Sequence, residues 1–191
     1  MIMDHPAPPP GYDSNPSAWS ERLPIIGLAL VGCAISTYLG LYQVGILSRV
    51  WDPFFGSNSS SQVLHSVVSR SLPVPDAILG ACGYAAEMVL GIVGGARRWQ
   101  TSPLLVIAFG LLSAGMGIVG IILTICQPTL AHAWCTLCLC SALISVSLAV
   151  LARRELYAGC GAWKARRAAG KHASDESHHW LHHRFFKGGN K

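Results

Sequence analysis

Residues 99–151 read WQTSPLLVIAFGLLSAGMGIVGIILTICQPTLAHAWCTLCLCSALISVSLAVL, and no Asp, Glu, Lys or Arg occurs among them. A helix needs about 20 apolar residues to cross a bilayer. This stretch holds two such runs, about 104–125 and 135–152, joined by a short loop at 127–134 that contains Pro128. The same lack of charge recurs over residues 23–48. A span is expected there from about 24 to 47, because Pro24 suits the first turn of a helix, where its missing N–H costs little. Another span is expected over about 76–95, with Asp76 as the N-cap behind Pro75 and Glu87 as a charge within the helix. Small residues such as Gly32, Gly40, Gly110 and Gly117 recur along these runs and allow close helix packing in lipid.

Composition agrees. Of 191 residues, 51% are hydrophobic and 12% charged, against about a quarter charged in soluble proteins. The expected fold is all-α: an integral membrane bundle of four transmembrane helices. The formal charge of +5 does not point to nucleic acid, because the basic residues sit at helix ends and in the tail. Seven cysteines do not make a secreted disulfide scaffold, since Cys33, Cys82 and Cys140 fall inside apolar segments.

The connection 49–75 is the only long one between spans. Trp51-Asp52-Pro53-Phe54-Phe55-Gly56 reads as an interfacial anchor, and Asn58-Ser59-Ser60-Ser61 as a turn and helix cap. Residues 62–69 place Val63, Leu64, Val67 and Val68 on one face, which predicts a short amphipathic helix at the outer surface. Residues 1–22 are rich in Pro, Ser, Asp and Asn and read as a disordered leader. They lack the basic start and short apolar core of a signal peptide. Residues 23–153 form the membrane domain, and 154–191 a basic, His-rich tail. In that tail His178/His182 and His179/His183 are spaced for metal binding, but a solvated segment touching the lipid surface is the plainer reading.

Cys135-Thr136-Leu137-Cys138 opens the last span. Two thiols at this spacing on a first helical turn can close a disulfide, and the helix dipole favours a thiolate on Cys135. A dithiol redox centre is one reading. A zinc site would need a second pair of ligands, and only His132 and Cys126 are near in sequence. Two inert core cysteines are the third reading. Glu87, an ionisable group at membrane depth, is expected to face the bundle interior or a polar cavity.

Of the 14 Lys and Arg residues, all but Arg49 and Arg70 fall on one side of a four-span arrangement. That bias puts both termini in the cytoplasm of a multi-pass protein of the inner (plasma) membrane. Loop 49–75 and the cysteine pair then lie outside, where disulfides persist.

Taken together, four spans, one long outer loop, Val63-Leu64-His65-Ser66 within it, Pro75-Asp76-Ala77-Ile78-Leu79-Gly80-Ala81-Cys82-Gly83-Tyr84 and the Cys135–Cys138 motif resemble the vitamin K epoxide reductase family of quinone-linked thiol oxidoreductases, over roughly residues 23–153. The resemblance implies a helix bundle around a quinone of the menaquinone or ubiquinone type. It also implies a thioredoxin-like thiol partner on the periplasmic or extracytoplasmic side. It makes Cys135 and Cys138 catalytic, with Cys138 facing the quinone and Cys135 exchanging with loop thiols. Ser66 and Asp76 become cofactor-binding residues by the same resemblance, and Glu87 joins them by its depth; no metal is implied. The loop departs from the pattern. It has no cysteine: Ser60 stands where the second loop cysteine belongs, and Asp52 lies near the first. Ala142 replaces a tyrosine that some members offer to the quinone. Either a partner thiol reaches Cys135 directly, or Cys126 acts as relay, or the chain is a non-catalytic scaffold or a quinone- or lipid-binding protein. The charge bias makes one outcome testable: a reporter active only outside the cell, fused after Lys191, stays silent.

Overall fold

In hydrocarbon a backbone must close its own hydrogen bonds, which leaves helices as the form available to apolar runs. The computed structural model describes residues 8–9, 11–66, 69 and 73–187, with side chains as far as Gly170. Its elements are α1 (Trp19–Gln43), α2 (Gly56–Leu64), α3 (Asp76–Ile92), α4 (Arg98–Thr101), α5 (Pro103–Cys126), a π-helical turn (Gln127–Ala131) and α6 (Thr136–Lys187). No strand occurs among the described residues. Helix α1, α5 with its π-helical turn, and residues 136–170 of α6 are long and apolar enough to cross a membrane. Helix α3 has 17 residues, about 26 Å at 1.5 Å per residue.

Helix α1 packs along α3 and α5 along α6, while contacts of α1 with α6 and of α3 with α5 close the bundle. Ile25, Ala29, Tyr84, Phe109, Leu148 and Ala152 form its core. Glycine admits the bulkiest of these: a Cβ at Gly32 would stand 2.6 Å from the Tyr84 ring. Gly110 does the same for Leu156, where the corresponding distance is also 2.6 Å.

Several boundaries differ from expectation, each for a visible reason. Helix α1 begins at Trp19, five residues before Pro24, which lies inside it. Residues 12–18, read as part of a disordered leader, are docked: Tyr12 Oη donates to the Arg154 carbonyl at 3.3 Å and Asn15 Nδ2 to the Ala96 carbonyl at 2.8 Å. Residues 58–61, read as a turn and cap, belong to α2. Of the helix expected over 62–69, Val67 and Val68 lie outside the described residues. Helix α6 does not stop at Arg153-Arg154-Glu155 but runs on to Lys187. The tail histidines lie beyond the described side chains.

The α6 helix passes this charged triplet because Glu155 is not at a surface. It is buried, as are Arg98, Arg22 and Ser17. Arg98 Nε and Nη2 donate to the two Glu155 oxygens, each at 2.5 Å, and Ser17 Oγ donates to Oε1 at 2.5 Å. Arg98 Nη1 also donates to the Leu90 and Val93 carbonyls, at 2.5 and 2.9 Å. Arg22 donates to the carbonyls of Gly91 (2.7 Å from Nε), Gly94 (2.8 Å) and Val93 (3.1 Å). The carbonyls that end α3 thus receive guanidinium N–H groups, and the negative end of its dipole offsets the unbalanced positive charge. Removing one partner of a buried pair strands the other, at about 3–5 kcal/mol. Glu155→Ala is therefore expected to lower stability by about that amount and to produce a large fall in thermal midpoint in detergent, whereas Arg154→Ala, at a half-exposed pair with Glu21, changes it little.

Candidate functional site

Cys135 and Cys138 are joined as a disulfide, with Cα atoms 5.2 Å apart. The joint lies at the head of α6. Cys135 is the residue before the helix, and its Sγ accepts the Cys138 N–H at 3.2 Å, the position of an N-cap acceptor. Its own N–H donates to Gln127 Oε1 at 2.9 Å, so the π-helical turn fixes the backbone there. Cys135 is fully buried. In this structure a partner thiol therefore cannot reach Cys135 directly.

The chain between α1 and α2, together with α2, covers this sulfur. Asp52 reaches across to cap α6, accepting the Thr136 N–H at 2.9 Å and the Thr136 hydroxyl at 2.6 Å. The same carboxylate accepts from Ser60 Oγ at 2.5 Å and from the Phe54 and Phe55 N–H groups at 3.0 and 2.9 Å. Ser59 Oγ bonds both the carbonyl (2.7 Å) and the N–H (3.0 Å) of Trp134. Phe55 stacks on the Trp134 ring. These polar contacts form a latch on both sides of Cys135. Burial pushes the Asp52 carboxyl up, but hydrogen bonds from Ser60, Thr136 and the Phe55 and Thr136 N–H groups outweigh it and hold it well below the usual carboxylate range.

Beneath the latch lies a cavity of about 390 Å³, within the range of small-molecule sites. It is walled by all four long helices and α2, mostly by apolar groups such as Leu39, Met116 and Leu123, and Cys138 forms part of its wall. One polar end holds Asp76, Ser66 and Ser69. There Gln43 Nε2 donates to Asp76 Oδ1 at 2.5 Å, and Ser69 Oγ donates to the same oxygen at 2.7 Å. The other end holds Ser36, Ser141, Ser145 and Tyr84. The Tyr84 hydroxyl lies 2.6 Å from Ser145 Oγ and 2.9 Å from Ser141 Oγ.

The family model described as "Vitamin K epoxide reductase family" matches residues 23–153. The chain belongs to this family. No curated protein matches it. It is thus a membrane protein of an oxidoreductase family whose members are in general quinone-linked.

Several sequence-derived candidates meet in this family member's cavity: Cys138, Asp76, Ser66 and Cys126 all line it. Cys135 stands behind Cys138, bonded to it. Asp76 is not an N-cap. It is the first residue of α3 after Pro75, and its carboxylate serves Gln43 and Ser69. Glu87, expected among the cofactor-binding residues, is fully buried but does not line the cavity. Ala142 lines the wall. Sequence reasoning missed Gln43, Ser69, Tyr84 and Gln127 as site residues. Gln43 and Tyr84 had a signal: polar side chains on the spans, one turn or two from cavity residues. The role of Asp52 had none, because it acts on a helix 84 positions away.

A depressed carboxylate stabilises the fold above its ordinary titration range, and the contribution is lost as pH falls through the depressed value. Asp52→Ala is expected to cost about 1–2 kcal/mol. That difference should stay constant in thermal unfolding from about pH 8 to pH 5 and shrink at lower pH. In reduced protein the same substitution should speed labelling of Cys135 by a membrane-impermeant maleimide.

Proposed function

We propose that this chain is a four-span thiol oxidoreductase in which the Cys135/Cys138 dithiol passes electrons from an extracytoplasmic, thioredoxin-like thiol partner to a quinone of the menaquinone or ubiquinone type. Helix α3 is the remaining span, α2 lies at the outer surface, and both termini are cytoplasmic. The observation that carries this reading is that Cys138 lines a mostly apolar cavity while bonded to Cys135. An apolar chamber of this size beside a disulfide suits a flat, apolar carbonyl compound. When bound, a quinone supplies a two-electron, two-proton acceptor for the dithiol.

The chain's own residues fit that task. The hydroxyls of Ser36 and Ser141 can donate to a carbonyl, and Tyr84, which donates to the Ser141 carbonyl at 2.7 Å and bonds Ser145, holds that end in place. At the opposite end Asp76, as a carboxylate, can only accept, so it suits the hydroxyl of a reduced ring, while Gln43 holds it in place. Gly32 and Gly120 leave room for the Tyr84 ring and for Ala142. A thiolate at Cys135 is favoured by the Cys138 N–H and opposed by the charge of Asp52. Attack on Cys135 requires the latch of Asp52, Ser59 and Ser60 to open. The partner sulfur then bonds to Cys135 as the Cys135–Cys138 bond breaks, with the electron pair leaving on Cys138. A second partner thiol releases Cys135 and leaves a dithiol.

One observation favours the second reading, a non-catalytic scaffold or a quinone- or lipid-binding protein. Cys135 is fully buried under a loop that carries Asp52 and Ser60 and no cysteine. Cys138→Ser separates the two. With the resolving sulfur gone, the Cys135 thiolate attacks the disulfide of the oxidised partner, one partner sulfur leaves as a thiolate, and the mixed disulfide through Cys135 should accumulate in membranes as an adduct on non-reducing gels. Adding Cys126→Ser leaves the adduct intact if the exchange is direct and abolishes it if Cys126 is the relay. No adduct, with both thiols alkylating freely whatever the quinone state, supports the scaffold.

A further inference from the structure

Glu87 has no place in the scheme above. It is fully buried, and neither of its oxygens is hydrogen bonded. The hydroxyl of Ser113 on α5 is its polar neighbour, close to hydrogen-bond reach yet outside hydrogen-bond geometry. A buried carboxyl left unsatisfied costs stability, so packing gives no reason for it. Its position does. One turn before it on the buried face of α3 is Tyr84, whose hydroxyl is on the cavity wall and bonded to Ser145. One turn after it is Gly91, whose carbonyl accepts from Arg22 and from Arg98, the partner of Glu155. Along α3, buried polar groups therefore succeed one another from the cavity to the charged end: Ser36 beside Gly80, Ser145 at Tyr84, then Glu87, then Arg98 and Glu155 at Gly91.

We propose that Glu87 is a proton-exchange site linking the hydroxyl end of the cavity to the charged end of the bundle, so that protons taken up at the cavity enter from the face opposite the cysteines. This rests on the thiol-oxidation reading. Oxidation of the Cys135/Cys138 dithiol releases two electrons and two protons, and the quinone acceptor takes up two of each, so the reaction balances whatever the source of protons. Glu87 decides the face. It passes its proton toward Tyr84 and Ser145 and is reloaded from the Arg98/Glu155 end. No hydrogen bond joins it to either neighbour, so each transfer uses a bridging water between polar groups.

Infrared spectroscopy of purified protein, oxidised at Cys135/Cys138 and with no quinone added, tests the site itself. A protonated carboxyl stretch is expected that Glu87→Gln removes and that shifts in deuterated buffer. An ionised or non-exchanging Glu87 overturns the proposal, whether or not the chain oxidises thiols. Oriented vesicles with a trapped pH dye test the direction, using dithiothreitol and a soluble ubiquinone analogue. Proton uptake is expected on the side of the charged end. Glu87→Gln should slow dithiol reoxidation by about 100-fold, Glu87→Asp should recover part of it, and thiol–disulfide exchange without quinone should be unchanged. Uptake on the cysteine side, or a wild-type rate in Glu87→Gln, overturns the proposal. If wild-type protein reduces no quinone at all, the functional reading fails, and the infrared result decides the role of Glu87 alone.

Discussion

One carboxylate holds the working end of this molecule together. Asp52 lies in a loop, yet it caps the helix that bears the cysteines, and through Ser60 it fixes α2 over them. The first turn of α6 has N–H groups with no partner in the helix. Two of them are met by groups from outside it, Asp52 at Thr136 and the Cys135 sulfur at Cys138. The loop is therefore part of the helix end. It cannot move without uncapping the residues that position the disulfide, which couples access at Cys135 to the geometry of Cys138 on the cavity wall.

The opposite end is built on the same physics with the charges reversed. The last carbonyls of α3 lack helical partners, and Arg22 and Arg98 supply them. Between these two capped ends the helices are held by small residues and apolar contact, which in lipid is how helices associate. The cavity sits nearer the loop end, where α1, α3, α5 and α6 come together beneath α2.

The sequence was most readable where one periodicity or one composition decides the outcome. The uncharged runs marked α1, α5 and the first half of α6, and the cysteine spacing marked the head of α6. Asp76 and Ser66 entered through family resemblance and do face the cavity. Misreadings came where a local signal was overridden by a distant partner. Arg153-Arg154-Glu155 looks like a helix stop, but Glu155 is satisfied by Arg98 and the helix continues. Pro24 looks like a start, but Ser17 and Asn15 anchor the chain ahead of it and let α1 begin earlier. Cys135 opens the last span in sequence, and only the loop contacts of Asp52 and Ser59 on either side of it show that it is covered.

The length of α6 has a mechanical meaning. Thr136–Lys187 is a single helix without a proline, about 78 Å long at 1.5 Å per residue. Some 30 Å suffices for the hydrocarbon layer, so its second half projects as a stiff spar. A rod of this kind has no joint at the membrane face. Thr136, capped by Asp52, and Glu155, held by Arg98, are thus two clamps on one continuous helix, so a change in its tilt at one clamp is felt at the other.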